Sequence, residues 1–190
     1  MRLFLGLPLC EDAVAVLEDV QAQLDLGRLV PEDNLHLTLA FLDEQPKTVA
    51  EALHAALEEM TLPGAAISFD GVEVRGRARP RLAWAAVTRT PALRALRDKV
   101  RGAAVAAGVD LPRDRFRPHV TLARFGPRVA GDPRLDRWLA EMAALRAGPY
   151  AVDRVCLYRS TLTPDGPLYD VLAAYPLAAA SGGSGGPSAP

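Results

Sequence analysis

One pentapeptide occurs twice in this chain. Residues 36–40 read His-Leu-Thr-Leu-Ala and residues 119–123 read His-Val-Thr-Leu-Ala, identical at four of five positions. The sequence has only three histidines and eight threonines in 190 residues, so chance duplication explains the pair poorly. Its spacing has a direct physical meaning. Side chains alternate faces along a strand, so His and Thr at i and i+2 project to one side. Leu37 and Leu39, or Val120 and Leu122, then point to the other side and can enter a core. Two such strands facing each other would set two imidazoles and two hydroxyls around one cavity. That requirement implies two related halves.

The rest of the pattern fits a mixed α+β chain. Residues 2–8 read as a buried strand rather than a signal peptide, because Glu11 and Asp12 follow at once without a small-residue cleavage pattern. Apolar residues recur at helical spacing over 11–25, 46–60 and 91–108, and a shorter helix is expected over 133–145. Strands are expected over 35–42, 67–74, 82–87 and 119–125, and a last pair over 150–162 and 168–177 around Thr163-Pro164-Asp165-Gly166-Pro167. The expected organisation is one bilobal domain over 1–180. Residues 181–190, all Ser, Gly, Pro and Ala, read as a disordered tail.

Composition excludes several classes. The formal charge of −1 gives no global basic field for a long nucleic-acid duplex, so any such contact should be local. No apolar run approaches the ~20 residues of a membrane-spanning helix. Two cysteines, Cys10 and Cys156, form no framework or metal-ligand pair and are expected reduced and buried. The expected protein is a cytoplasmic monomer without metal or cofactor. His54, among Ala, Leu and Glu in a helical pattern, reads as a surface histidine.

The doubled motif suits a phosphodiester. In-line cleavage of a P–O bond needs a base for the nucleophile on one side and an acid for the leaving oxygen on the other. Histidine titrates near pH 6.5, so one imidazole can be neutral while the other is charged. Hydroxyls of Thr38 and Thr121 can donate to the non-bridging oxygens. The motifs are nearly symmetric, so the residues alone leave open which histidine is the acid.

At these residues the sequence resembles the two-histidine (2H) phosphoesterase superfamily, defined by paired His-x-Thr-x motifs. It is most similar to the bacterial RNA 2′,3′-cyclic phosphodiesterase branch, also called 2′-5′ RNA ligase-like. Supporting stretches are MRLFLGLPL, NLHLTLAFL, PRLAWAAV, FRPHVTLARF and LYRSTLTPDGPLYDVLAAYPL. The resemblance implies two pseudo-twofold lobes whose antiparallel sheets flank a central cleft, with helices outside. It implies that His36 is the proton donor to the leaving 3′ oxygen and His119 the proton acceptor that activates water. Thr38 and Thr121 would hold the phosphate, and the product would be a 2′-phosphomonoester. The partners would be RNA ends or nucleoside 2′,3′-cyclic phosphates. Members often carry a basic residue where Ala40 stands and a glycine where Asp43 stands.

Further contacts are expected from two basic clusters, Arg75, Arg77, Arg79 and Arg81, and Arg113, Arg115 and Arg117. Arg124 follows the second motif, although strict alternation would turn it to the face opposite His119. Among Trp84, Phe41, Phe116 and Phe125, the motif-flanking Phe116 and Phe125 are the favoured base-stacking rings. Two other readings use the same site: 2′-5′ ligation, its reaction run backward, and a non-catalytic module that binds RNA ends.

Overall fold

The computed structural model describes residues 1–76, 78–113, 115–164 and 166–179. The expected tail, Arg77 of the first basic cluster and Asp165 of the last turn lie outside the described residues. In chain order the elements are β1 (Arg2–Pro8), α1 (Glu11–Ala22), β2 (Arg28–Leu29), β3 (His36–Glu44), α2 (Lys47–Glu58), β4 (Ala65–Arg75), β5 (Leu82–Val87), α3 (Pro91–Ala106), β6 (His119–Arg124), α4 (Pro133–Met142), β7 (Arg146–Val152), β8 (Arg154–Thr163) and β9 (Gly166–Pro176). Local chemistry sets several boundaries. The Thr90 hydroxyl accepts from the Leu93 N–H at 3.1 Å, with Pro91 opening α3.

Two four-stranded antiparallel sheets carry the fold. One runs β3-β1-β8-β9 and the other β6-β5-β4-β7, with β2 added beside β6. The motif strands β3 and β6 form the inner edges. They meet antiparallel at one residue pair, Leu37 opposite Val120, which links the two sheets into a nine-stranded whole. The register around that pair places His36 toward Thr121 and Thr38 toward His119. The repeat thus appears as pseudo-twofold symmetry about the junction of the lobes.

The core lies on the face away from the motif polar groups. Leu37, Leu39, Val120 and Leu122 are almost fully buried in one cluster with Leu17 of α1, Leu53 of α2 and Leu96 of α3. Burial of each such side chain stabilises the fold by roughly 1.5–3 kcal/mol before entropy is charged against it. The helices cross between lobes: α1 packs on β6 and β7, while α3 packs on β3 and β4. This interleaving ties the two sheets together in addition to their single shared pair.

Three expectations change. The run expected as one strand over 150–162 is two strands in different lobes: β7 pairs with β4, whereas β8 pairs with β1 and β9. Asp153 separates them, and Val152 and Val155 are buried on either side. A change of partner leaves no mark on alternation, so the pattern read straight through. Cys156 is buried, but Cys10 is exposed at the head of α1; both are free thiols. His54 is no isolated surface group: its Nδ1 lies 3.1 Å from the Tyr175 hydroxyl and its Nε2 3.5 Å from Glu58. Among the described residues no helix is long and apolar enough to cross a membrane.

Candidate active site

Where β3 and β6 meet, a cavity of about 510 Å3 opens. His36, Thr38, His119 and Thr121 all line it, together with Arg124 and Phe41. Both imidazoles are clamped alike. The Nδ1 of His36 lies 2.8 Å from the Asn34 carbonyl, and that of His119 lies 2.8 Å from the Arg117 carbonyl. A carbonyl can only accept, so each Nδ1 carries the proton and each Nε2 is left with its lone pair. Each acceptor sits two residues before its histidine, so the clamp is part of the repeated design.

The surroundings of the two rings differ. His36 is packed among Phe4 at 4.8 Å, Tyr169 edge-on at 5.1 Å and Tyr158 at 5.9 Å between ring centres. Phe4 is itself stacked on Tyr158, 4.7 Å away with planes 11° apart. Gly6 leaves room for this: a Cβ there would lie 3.1 Å from the Leu37 carbonyl oxygen and 3.4 Å from Cδ2 of His36. The Nε2 of His36 is 3.1 Å from the Thr38 hydroxyl, which donates to it in the neutral ring. Burial lowers the His36 pKa to about 4; the Asn34 hydrogen bond opposes the shift, and the charges of His119 and Arg124 add to it. His36 is therefore neutral near pH 7 in the open cavity. Among the described residues His119 has one ring neighbour, Trp84, at 4.8 Å.

Both motif strands bulge at the same place. In the β1–β3 ladder Leu5 faces Ala40 and Gly6 faces Thr38, so Leu39 has no partner. In the β5–β6 ladder Ala83 faces Ala123 and Trp84 faces Thr121, so Leu122 has none. An extra residue re-aims every side chain beyond it. Ala40 and Ala123 turn inward and are buried, while Phe41 and Arg124 turn into the cavity. The expectation that alternation carries Arg124 away from His119 is thus corrected. Phe41, 66% exposed, is its pseudo-symmetric counterpart. Asp43 adopts a left-handed φ of 58°.

The bulge in β6 has its own support. Gln21 of α1 is buried, and its Nε2 donates to the carbonyls of Leu122 and Val30, both at 2.9 Å. The Leu122 carbonyl also accepts from the Val30 N–H at 2.8 Å. A bulged carbonyl released from its ladder is costly to bury unpaired. Gln21 therefore positions the second motif from outside it. The only sequence signal was a polar residue on the inner face of an amphipathic helix.

The remaining sequence-derived contacts fall elsewhere. Arg117 and Phe116 line a neighbouring cavity that shares His119 with the first. Phe125 lines neither of these two cavities; it packs against the core beside Gly27, where φ is +76° and a Cβ would come within 2.5 Å of the Phe125 ring. Of the first basic cluster, Arg75 reaches the neighbouring cavity, whereas Arg79 and Arg81 line neither. Among the described residues no three His, Cys, Asp or Glu side chains converge as a metal site would require.

Two pseudo-symmetric lobes, each sending a His-x-Thr strand to one cavity, define the architecture of a 2H phosphoesterase. The model of the 2′-5′ RNA ligase superfamily matches residues 8–163. A protein of Aeropyrum pernix named RNA 2′,3′-cyclic phosphodiesterase is 34% identical over 159 residues, covering 82% of this chain and 88% of its own. One of the same name from Thermotoga maritima is 30% identical, covering 90% and 93%. The crystal structure of Escherichia coli LigT in its apo form superposes with a TM-score of 0.71 at 28% identity, covering 93% and 96%. The chain belongs to the 2′-5′ RNA ligase superfamily of two-histidine phosphoesterases.

Proposed function

We propose that this enzyme opens 2′,3′-cyclic phosphates at RNA ends to 2′-phosphomonoesters, with His36 and His119 as its acid and base and no metal. The observation that carries the reading is the shared clamp: both Nδ1 atoms are fixed by main-chain carbonyls, so both Nε2 atoms serve one cavity. The names borne by its relatives support the substrate class.

His119, on the more open side, takes a proton from water as the water oxygen attacks phosphorus. The P–O3′ bond breaks opposite, and O3′ receives a proton from His36. Each transfer contributes roughly 10²- to 10⁴-fold. Thr38 and Thr121 donate to the non-bridging oxygens, and Arg124 balances their charge. Phe41 offers a face for the terminal base.

His36 is neutral in the open cavity, yet the acid must carry a proton. The substrate supplies the remedy: a phosphodiester anion placed beside the ring favours the imidazolium and offsets its desolvation. Thr38 then turns its hydroxyl from Nε2 toward a phosphate oxygen. Binding of a non-reactive phosphodiester at pH 6–7 should therefore take up protons, which calorimetry in buffers of differing ionisation enthalpy detects.

The direct test is to incubate the protein, with a chelator, with an oligonucleotide ending in 2′,3′-cyclic phosphate. A 2′-monoester formed at full rate supports the reading. A 3′-monoester, or activity that depends on restored divalent ions, refutes it.

A further inference from the structure

Asn34 is bonded at both ends. It closes a short 3-10 turn, Glu32–Asn34, that leads into β3, and its carbonyl accepts the Nδ1–H of His36 at 2.8 Å. Its side-chain Nδ2 donates to the Pro167 carbonyl at 2.9 Å, 133 residues further along the chain. Pro167 stands near the turn of the β8–β9 hairpin, opposite Leu162, and the Thr163 hydroxyl donates to the Gly166 carbonyl within that turn. One residue thus holds the His36 ring with its main chain and the hairpin with its amide.

The hairpin matters because of Tyr169. Its ring, two residues after Pro167, stands edge-on to His36 with planes 88° apart, and it lines the first cavity together with Ser160 and Leu162. The end of this hairpin is not held by close packing. β9 is the outermost strand of its sheet, and Leu162 and Leu168 beside the turn are exposed. A cavity of about 110 Å3, lined by Arg28, Asn34, Gly166 and Tyr169 among others, lies beside the tie. A directed hydrogen bond then carries more of the placement than it would in a filled core. In the other lobe the matching residue is Arg117, which also offers its carbonyl to its histidine, but its side chain goes to the neighbouring cavity. The tie is therefore a departure from the repeat, on the side of the leaving group.

We propose that Asn34 is the positioning residue of the acid: its amide holds the β8–β9 hairpin, and Tyr169 with it, against His36, while its carbonyl keeps Nε2 turned to the leaving oxygen. This rests on the acid–base reading above. A half-turn of the imidazole would put carbon in the place of Nε2 and end proton transfer; the bond to Asn34 and the contacts with Phe4 and Tyr169 oppose it. The same contacts keep water from the ring, in line with burial as the main cause of its low pKa. The other titratable and charged groups about His36 are Tyr158 of β8 and His119 and Arg124 of β6, with Arg2, Asp43 and Asp110 on the same cavity lining.

The test uses Asn34→Leu, which keeps the carbonyl and nearly the shape of the side chain but cannot donate, and Tyr169→Leu, which removes the ring that the hairpin carries. Turnover of a cyclic-phosphate-ended oligonucleotide should fall about tenfold in Asn34→Leu, with KM little changed. The loss should vanish on the analogue with sulfur as the 3′ bridging atom, whose departure needs no proton. An NMR titration of the three imidazoles should show the His36 pKa raised from about 4 to above about 5 in Asn34→Leu, with His119 unmoved. Tyr169→Leu should do the same, and the double variant little more, since both break one connection. An equal loss on the two substrates, wild-type turnover in Asn34→Leu, or a His36 titration unmoved in both variants overturns the proposal. If the wild type opens no cyclic phosphate, the phosphodiesterase reading falls and takes the role of the acid with it, whereas wild-type behaviour of Asn34→Leu leaves that reading standing.

Discussion

β3 and β6 carry the same pentapeptide, the same bulge and the same carbonyl clamp on Nδ1, yet their histidines stand in different media. His36 is enclosed by Phe4, Tyr158 and Tyr169, while His119 lies beside Trp84, and the rings of His119 and Trp84 both line an arginine-rich cavity. The residues aimed into the cavity by the bulges differ as well, an aromatic ring at Phe41 and a cation at Arg124. Duplication supplies two groups of the right chemistry at the right place. The neighbours make them unequal, and the in-line reaction proposed above would use that inequality, with a nucleoside on one side and a nucleophile on the other.

The sharpest way to break the comparison is to remove each ring in turn. His36→Ala and His119→Ala should each lower the turnover of a cyclic-phosphate-ended oligonucleotide by roughly 10²- to 10⁴-fold, measured as monoester formed. Both variants should keep the wild-type melting behaviour at neutral pH, because Leu37, Leu39, Val120 and Leu122 still fill the core. A variant that retains near wild-type turnover would show that its ring has no part in the step.

A smaller effect separates the two bulge-directed side chains. Arg124→Ala should act on the phosphate and lower kcat/KM by about 10²-fold for every substrate, including a nucleoside cyclic phosphate. Phe41→Ala should act on the base and lower it by about tenfold, chiefly through KM. Equal losses from the two substitutions, with the same split between kcat and KM, would erase the distinction drawn between the lobes.

A further effect is on stability rather than turnover, and it belongs to His36. Its pKa of about 4 lies below the value of 6.5 expected in the unfolded chain, so the unfolded state binds the extra proton as pH falls between these values. The contribution is fully present above about pH 6.5 and declines towards pH 4, by at most roughly 3 kcal/mol. Denaturant titrations should show that His36→Gln removes this part of the acid destabilisation, whereas His119→Gln leaves it in place. An unaltered pH dependence in His36→Gln would mean that the aromatic enclosure does not depress the ring.

Much of this was legible in the sequence. Strand alternation put His and Thr on one face and the aliphatic residues on the other, and burial of Leu37, Leu39, Val120 and Leu122 follows that pattern. Proline and capping signals marked α3 close to its observed ends. Alternation failed where it assumes an uninterrupted ladder. A bulge adds one residue without any change in composition, so strict alternation does not carry Phe41 or Arg124 to the cavity that both line. Partner choice is equally silent, which is why β7 and β8 read as one strand. The role of Gln21 is not written in its local pattern, because it depends on a carbonyl 101 residues away.

The division of labour between the rings is tested most directly with a cyclic substrate whose 3′ bridging oxygen is replaced by sulfur, a leaving group that needs no proton. Single-turnover cleavage should return to near the wild-type rate in His36→Ala and stay abolished in His119→Ala. Rescue of His119→Ala instead, or no rescue of either variant, would contradict the assignment of His36 to the leaving group.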